Sequence, residues 1–258
     1  MKIKFISVLI TNYNKGFNLK KSINSCVNQK FNKKEILVFD DCSTDNSLII
    51  LKKLKKIRLT INRFKKFHSG PLNQIYGLSK LLRYSKGNLI FLLDSDDFYK
   101  KNKIVKIHNY FLKNIKCNFL QDIPYDTYKK KKIELKKKNH FFSIWPSFYP
   151  TSSIVMRRDF FIKFLKYAKV NRFPNLEIDA RLSIYAHLTN NFNVLNDSLT
   201  IYNYDNKGIT SKYKKFSINW WKKRYEAFEY YKYLSKKLNI EFKKGPDYYL
   251  TNIISKFI

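Results

Sequence analysis

Three carboxylates stand within four positions, Asp94, Asp96 and Asp97, with Ser95 between them, at the end of the apolar run Leu89-Ile90-Phe91-Leu92-Leu93. Like charges so crowded are unfavourable unless a cation or a bound proton relieves them, so the cluster suits a divalent metal held by hard oxygen ligands. An acidic turn capping the next helix is the competing structural explanation. A second acidic cluster, Asp40-Asp41-Cys42-Ser43-Thr44-Asp45, ends the apolar run Ile36-Leu37-Val38-Phe39. A polar group, Thr11-Asn12-Tyr13-Asn14, ends the run from Lys4 to Ile10. Further along, Glu177 and Asp179 open a stretch with Leu182, Tyr185 and Leu188 at helical spacing, where carboxylates in a first turn also favour the helix dipole.

The elements that must carry these clusters alternate between two periods. Short continuous apolar runs suit strands buried on both faces of a sheet. Each is followed by apolar residues three or four apart: Leu19, Ile23, Cys26 and Val27; Leu48, Leu51 and Leu54; Leu72, Ile75, Leu78 and Leu82. Ser43 or Thr44 is a natural N-cap for the second of these helices, and Gly87 a stop for the third. Alternation of this kind predicts an α/β protein with a doubly wound sheet that binds ligands at the carboxyl ends of its strands. The three polar clusters would then meet in one crevice. No G-x-G-x-x-G or Walker loop is present, which disfavours ordinary dinucleotide and P-loop chemistry.

Ile6 to Asn14, Val38 to Asp45 and Gly87 to Asp97 resemble, in order, the successive signatures of the inverting family 2 glycosyltransferases, which have the GT-A fold. The resemblance implies a mixed, mostly parallel sheet flanked by helices. Residues 1–214 would be the catalytic domain and residues 215–258 a basic, aromatic-rich helical extension. It implies a nucleoside-diphosphate sugar as donor, usually of uridine. Thr11, Asn12, Tyr13, Asp40 and Asp41 would then face the nucleotide, with Asp41 bonded to the base and Asp94 and Ser95 nearby. Tyr13 has the alternative of being a core aromatic. Asp96 would coordinate Mn2+ or Mg2+ on the diphosphate, with Asp97 beside it. In the family the catalytic base lies in an adjacent acidic pair; here the pair is opened to Glu177-Ile178-Asp179. Asp179 matches the register better, and Glu177 is the reserve. Trp145, Ser152 and Ser153 fall in the segment that borders the acceptor. At Ile201 to Thr210 the chain departs from relatives that carry a metal-touching histidine; Asn203 and Asp205 stand there, and Asp205 is the available ligand. The implied acceptor is a glycan or lipid-linked sugar of envelope polysaccharide synthesis.

Composition bounds the alternatives. Lys and Arg number 52 against 19 Asp and Glu, a net charge of +33, which attracts anions such as nucleic acid, lipid surfaces or phosphorylated substrates. Lys, Asn, Ile, Phe and Tyr abound while Gly and Pro number 6 each, as an AT-rich genome would produce, so charge alone selects no partner. A basic nucleic-acid-binding module would explain the charge but not acidic clusters at strand ends, so no nucleic acid is expected. A nucleotidyltransferase would want a glycine-rich basic loop, for which only Lys15-Gly16 is present. The three scattered cysteines, Cys26, Cys42 and Cys117, fit a reducing cytoplasm, and the run after Lys2 and Lys4 is strand-like rather than signal-like.

Two basic features lie outside these motifs. Residues Lys129 to Lys138 form either a solvated hairpin or a patch for an anionic acceptor or head groups. In the tail, Ile218, Trp221, Tyr225 and Phe228 make a helical stripe flanked by Lys222, Lys223 and Arg224. It would pack on the catalytic domain or lie on the cytoplasmic face of an anionic membrane.

Overall fold

The computed structural model describes residues 3, 5–135, 146–168, 171–204 and 213–258. Its sheet is built outward from β4 (Leu89–Asp94), whose five apolar residues are all at most 1% exposed. Alternate residues of a strand face opposite sides. Ile90 and Leu92 accordingly pack into one core with α3 (Gly70–Tyr84), α5 (Arg158–Leu165), α6 (Ile178–Leu188) and α7 (Ile218–Lys237). Leu89, Phe91 and Leu93 pack into the other with α1 (Gly16–Val27), α2 (Ser47–Lys53) and α4 (Lys103–Lys113). Burial of each such side chain contributes about 1.5–3 kcal/mol.

Beside β4, β1 (Ile6–Asn12), β2 (Lys34–Asp41) and β3 (Arg58–Asn62) run parallel in the order β3-β2-β1-β4. On the other side β8 (Ile154–Arg157) pairs antiparallel with β4, followed by β6 (Phe119–Asp126) and β9 (Phe192–Tyr202), which are parallel to each other. The sheet is therefore mixed. The β6–β9 register shifts between Asp122 and Pro124, where proline has no N–H to donate. After β4 the chain crosses to β5 (Phe98–Tyr99) at the far edge of the sheet, on β9. The sheet thus curls so that the end of β9 returns beneath the turn that follows β4. The hairpin of β6 with β7 (Lys131–Lys132) is exposed, so the described part of the basic run is a solvated hairpin; Lys136 to Lys138 lie outside the described residues.

Local expectations were corrected in three places. Ser43 and Thr44 do not cap α2; Ser43 donates its hydroxyl to Asp40 and Thr44 its N–H to Asn14, and the helix begins after Asn46. Gly87 is not a helix stop, since α3 ends at Tyr84. A Cβ there would sit 2.4 Å from the Ser7 nitrogen, so glycine lets this segment approach β1. The buried face of α7 carries Ala227, Tyr230 and Leu234 in the α3–α6 core, with Phe228 also buried, while Ile218 and Tyr225 of the expected stripe are exposed. Finally, α8 (Pro246–Ser255) packs on α7, with Tyr248 edge-on to Phe228.

Candidate active site

Each carboxylate of the acidic turn has a distinct environment because the turn is held from three sides. Beneath it the fully buried Lys103 ammonium donates to Asp122 at 2.7 Å, to the Ser152 carbonyl at 2.9 Å and to the Thr200 hydroxyl at 2.6 Å. The Ser152 hydroxyl in turn accepts from the Asp94 N–H at 3.0 Å. Asp97 is enclosed and accepts from the Asn203 N–H at 2.8 Å, which ties the end of β9 to the turn. Asp94, at the rim, accepts from the Gln74 amide at 2.8 Å, and Asp96 pairs with the Lys15 ammonium at 2.6 Å. Burial, with the charges of Asp96 and Asp179, pushes the Asp94 carboxyl up to about 8. Burial beside Asp96 and Asp94 raises Asp97 as well.

The ends of β2 and β1 form the adjoining wall. Asp40 is buried and accepts from the Asn12 amide at 2.7 Å and from the Ser43 hydroxyl at 2.7 Å, so both Asp40 and Asn12 are internal supports. Asp41 is buried, with 8% exposure, accepts from Asn62 at 3.2 Å and has its pKa raised, chiefly by burial. Thr11 is half-buried in register with Asp94, and Tyr13 is 43% exposed with the Lys65 ammonium 3.6 Å from its ring centre, so Tyr13 is no core aromatic. On α3, Gln74 supports Asp94, while the neighbouring Asn73 side chain is held by the Phe67 backbone, donating to its carbonyl and accepting from its N–H, each at 2.9 Å. Neighbouring strands lie about 4.8 Å apart and Asp41 is two residues beyond the level of Asp94, so the two stand roughly 12 Å apart across β1.

Asp179 lies in the first turn of α6, where one oxygen accepts from the Ala180 N–H at 2.7 Å. Burial and the nearby Glu177 carboxylate push it up to about 7, while Lys223 opposes the shift. It lies near the acidic turn, because its charge raises Asp94 and acts with that of Asp94 on the Tyr202 phenol. Glu177 precedes the helix and is ion-paired with Lys223 of α7. The structure therefore brings Asp94, Asp96, Asp179 and Tyr202 to one crevice, with Asp41 on its neighbouring wall. Ser95 is buried. Ser152 and Ser153 are fully buried, the latter bonded to the Pro150 carbonyl, so they brace the turn and present nothing to an acceptor. Trp145 and Asp205 lie outside the described residues. The site roles of Lys15, Gln74, Lys103 and Lys223 were missed from the sequence, since lysine is too frequent here for one to stand out and nothing local marks Gln74; Lys15 was singled out only beside Gly16, and Lys223 only as a flank of the tail stripe.

Among the described residues no group of three or more His, Cys, Asp or Glu side chains is arranged to hold a metal alone. Asp96 nevertheless fits one. Its side chain remains 16% exposed and already attracts a cation in the form of the Lys15 ammonium. Small hard cations are commonly held by one or two carboxylates with phosphate oxygens completing the shell. Asp97 is enclosed and bonded to β9, which leaves Asp96 as the carboxylate that would meet such an ion.

Residues 7–170 match the model of glycosyl transferase family 2, and the chain belongs to that family. An uncharacterised glycosyltransferase of Haemophilus influenzae is 34% identical over 119 residues, 44% of this chain and 45% of that protein. The poly(ribitol-phosphate) β-N-acetylglucosaminyltransferase TarP of Staphylococcus aureus is 32% identical over 43% of this chain and 34% of its own length. The Escherichia coli UDP-Glc:α-D-GlcNAc-diphosphoundecaprenol β-1,3-glucosyltransferase WfgD is 32% identical over 42% of each chain. The alignments thus span less than half of these relatives. The fold is GT-A: S. aureus TarS 1–349 in complex with UDP-GlcNAc superposes with a TM-score of 0.67 at 20% identity, over 93% of this chain and 68% of that one. A mannosyltransferase of Pyrobaculum calidifontis in complex with GDP-Man and Mn2+ gives 0.64 at 11% identity, over 98% and 69%.

Proposed function

We propose that this protein transfers a sugar, with inversion, from a nucleoside-diphosphate donor to a glycan or lipid-linked acceptor of cell-envelope polysaccharide, and that the donor is a UDP-sugar. The observation that supports this most is the meeting of Asp94, Asp96 and Asp179 at one crevice beside Asp41, from three distant parts of the chain. Asp41 accepts a hydrogen bond from the base, and Tyr13 with Lys65 flanks it. Asp96 holds a divalent cation, Mn2+ or Mg2+, which supplies charge neutralisation on the departing diphosphate. Asp179 takes the proton of the acceptor hydroxyl as that oxygen attacks the anomeric carbon opposite the leaving group. A base raised to about 7 is matched to that task, and no covalent sugar–enzyme intermediate is needed. The names of TarP and WfgD support a polymer or lipid-linked acceptor.

The proposal includes peripheral contact with anionic lipid. No helix among the described residues is long and apolar enough to cross a membrane. On α8, however, Tyr249, Leu250, Ile253 and, just beyond, Phe257 are exposed at helical spacing, with exposed Lys243, Lys244 and Lys256 around them.

A thermal-shift panel of UDP-, GDP-, CMP- and dTDP-sugars with and without Mn2+ tests the donor class. A UDP-sugar at about 100 times its Kd should stabilise by about 2.7 kcal/mol. Asp96→Ala should lose the part of that shift that depends on Mn2+. No shift with any sugar nucleotide, together with steeply salt-dependent nucleic-acid binding, would overturn the transferase reading.

A further inference from the structure

The loop that delivers Asp179 is gripped from α7, in the segment the sequence set apart as an extension. The Asn175 N–H donates to one oxygen of Glu226 at 2.7 Å and its side-chain amide to the other at 2.5 Å, so a single carboxylate holds both groups of one residue. The Tyr213 hydroxyl donates to the Asn175 side-chain oxygen at 3.0 Å. Three residues before Glu226, on the same helix face, Lys223 is ion-paired with Glu177 and lies 4.6 Å from the Tyr213 ring centre. One side of α7 therefore holds both ends of residues 175–177.

The rest of the loop is fixed by groups on the catalytic sheet's own helices. The buried Arg181 guanidinium donates to the carbonyls of Ala168, Arg172, Phe173 and Leu176. The Ser69 hydroxyl, at the start of α3, donates to the Pro174 carbonyl at 2.5 Å. What α7 adds is the last constraint before Asp179, together with the charge opposite Glu177. The ionisable groups facing Asp179 are Glu177 of its own loop, Lys223 of α7, Asp94 of β4 and Tyr202 of β9.

We infer that Glu226 and Lys223 are positioning residues for the base, so that α7 governs turnover rather than donor capture. Glu177, bound by Lys223, is then a strut and not a second base. This rests on the transferase proposal and on Asp179 as its base. A misplacement of about 1 Å at a reacting group costs on the order of 100-fold in rate, so loosening this loop should appear in kcat.

The test compares the full chain with Glu226→Ala, Glu226→Gln, Lys223→Met and Lys223→Arg. It reads UDP binding with Mn2+ by calorimetry, UDP release from the most stabilising UDP-sugar, and hydrogen exchange over residues 172–180. Glu226→Ala and Lys223→Met should lower kcat on the order of 10- to 100-fold with UDP affinity kept within about threefold. Lys223→Arg should restore most of the rate, and Lys223→Met should move the acid limb of the kcat profile upward, because a cation that stabilises ionised Asp179 is gone. Should Glu226→Ala fail to fold, the partly exposed Lys223 carries the comparison. Wild-type kcat in Lys223→Met and in Glu226→Ala or Glu226→Gln would overturn the inference, as would equal loss of UDP binding and rate. A wild-type chain that binds no UDP, but whose 172–180 exchange quickens in the variants, would sink the transferase proposal and leave the grip of α7 supported.

Discussion

A carboxylate serves as a base only while ionised, and Asp179 has been moved by burial and by Glu177 to the middle of the physiological range. Turnover should be full above about 7 and fall as pH drops through it, with a slope of one proton, in a kcat profile measured at saturating donor. Asp179→Asn should leave UDP binding intact and stop turnover; an active variant would pass the role to Glu177. The cysteines offer a second check at this scale. Burial pushes the Cys26 thiol up to about 12 and Cys117 up to about 11, so neither supplies thiolate at neutral pH. Cys42 is half-buried; burial and the Asp41 and Asp40 charges raise its thiol too, so its accessibility rather than its acidity sets it apart from the other two. Iodoacetamide at pH 8, followed by peptide mass spectrometry, should label Cys42 first, and UDP with Mn2+ should slow it if that wall holds the nucleotide.

At the scale of elements the acidic turn depends on α4, β6 and β9 through one buried cation. Lys103 and Asp122 are both fully enclosed. Removing one partner of such a pair leaves the other buried and uncompensated, at a cost of about 3–5 kcal/mol. Lys103→Met should therefore lower urea stability by about that amount, and adding Asp122→Leu should recover part of it; an unchanged midpoint in Lys103→Met would show that the network does not brace the turn. This element also marks where the sequence was legible. Strands β1, β2 and β4 were readable because burial on both faces leaves an uninterrupted apolar run, and their polar ends therefore stood out. Lys103 falls between Asn102 and Ile104 in a basic, amphipathic stretch, and nothing local distinguishes an enclosed lysine from a solvated one. The long strand β9 was likewise unread, because most of its residues are only half-buried and its pattern Phe192 to Tyr202 is mixed. The opened acidic pair had the same ambiguity: the choice between Glu177 and Asp179 depends on Lys223, which is distant in sequence and meets Glu177 only through the packing of α7.

The whole molecule carries +33, but net charge alone concentrates anions nearby without orienting the protein. Orientation requires apolar surface in the same place. On α8 the exposed Tyr249, Leu250, Ile253 and Phe257 provide it, and the acidic residue of the first turn, Asp247, is neutralised by Arg224 at 2.8 Å. Each lysine near an anionic surface contributes about 1 kcal/mol, and the side chains on this face are of the kind that enter the head-group boundary. The chain should therefore sediment with vesicles containing anionic phospholipid and not with neutral ones. Salt should release much of it, because the Debye length falls from about 10 Å at 0.1 M to about 3 Å at 1 M. The double variant Leu250→Ser with Ile253→Ser should weaken binding while leaving UDP-dependent stabilisation unchanged, since both side chains are exposed on α8, which packs on α7 and not on the strands that carry Asp41 and Asp94. Equal binding by that variant would move the contact to another basic face, and absence of sedimentation with anionic vesicles would remove lipid from the list of partners.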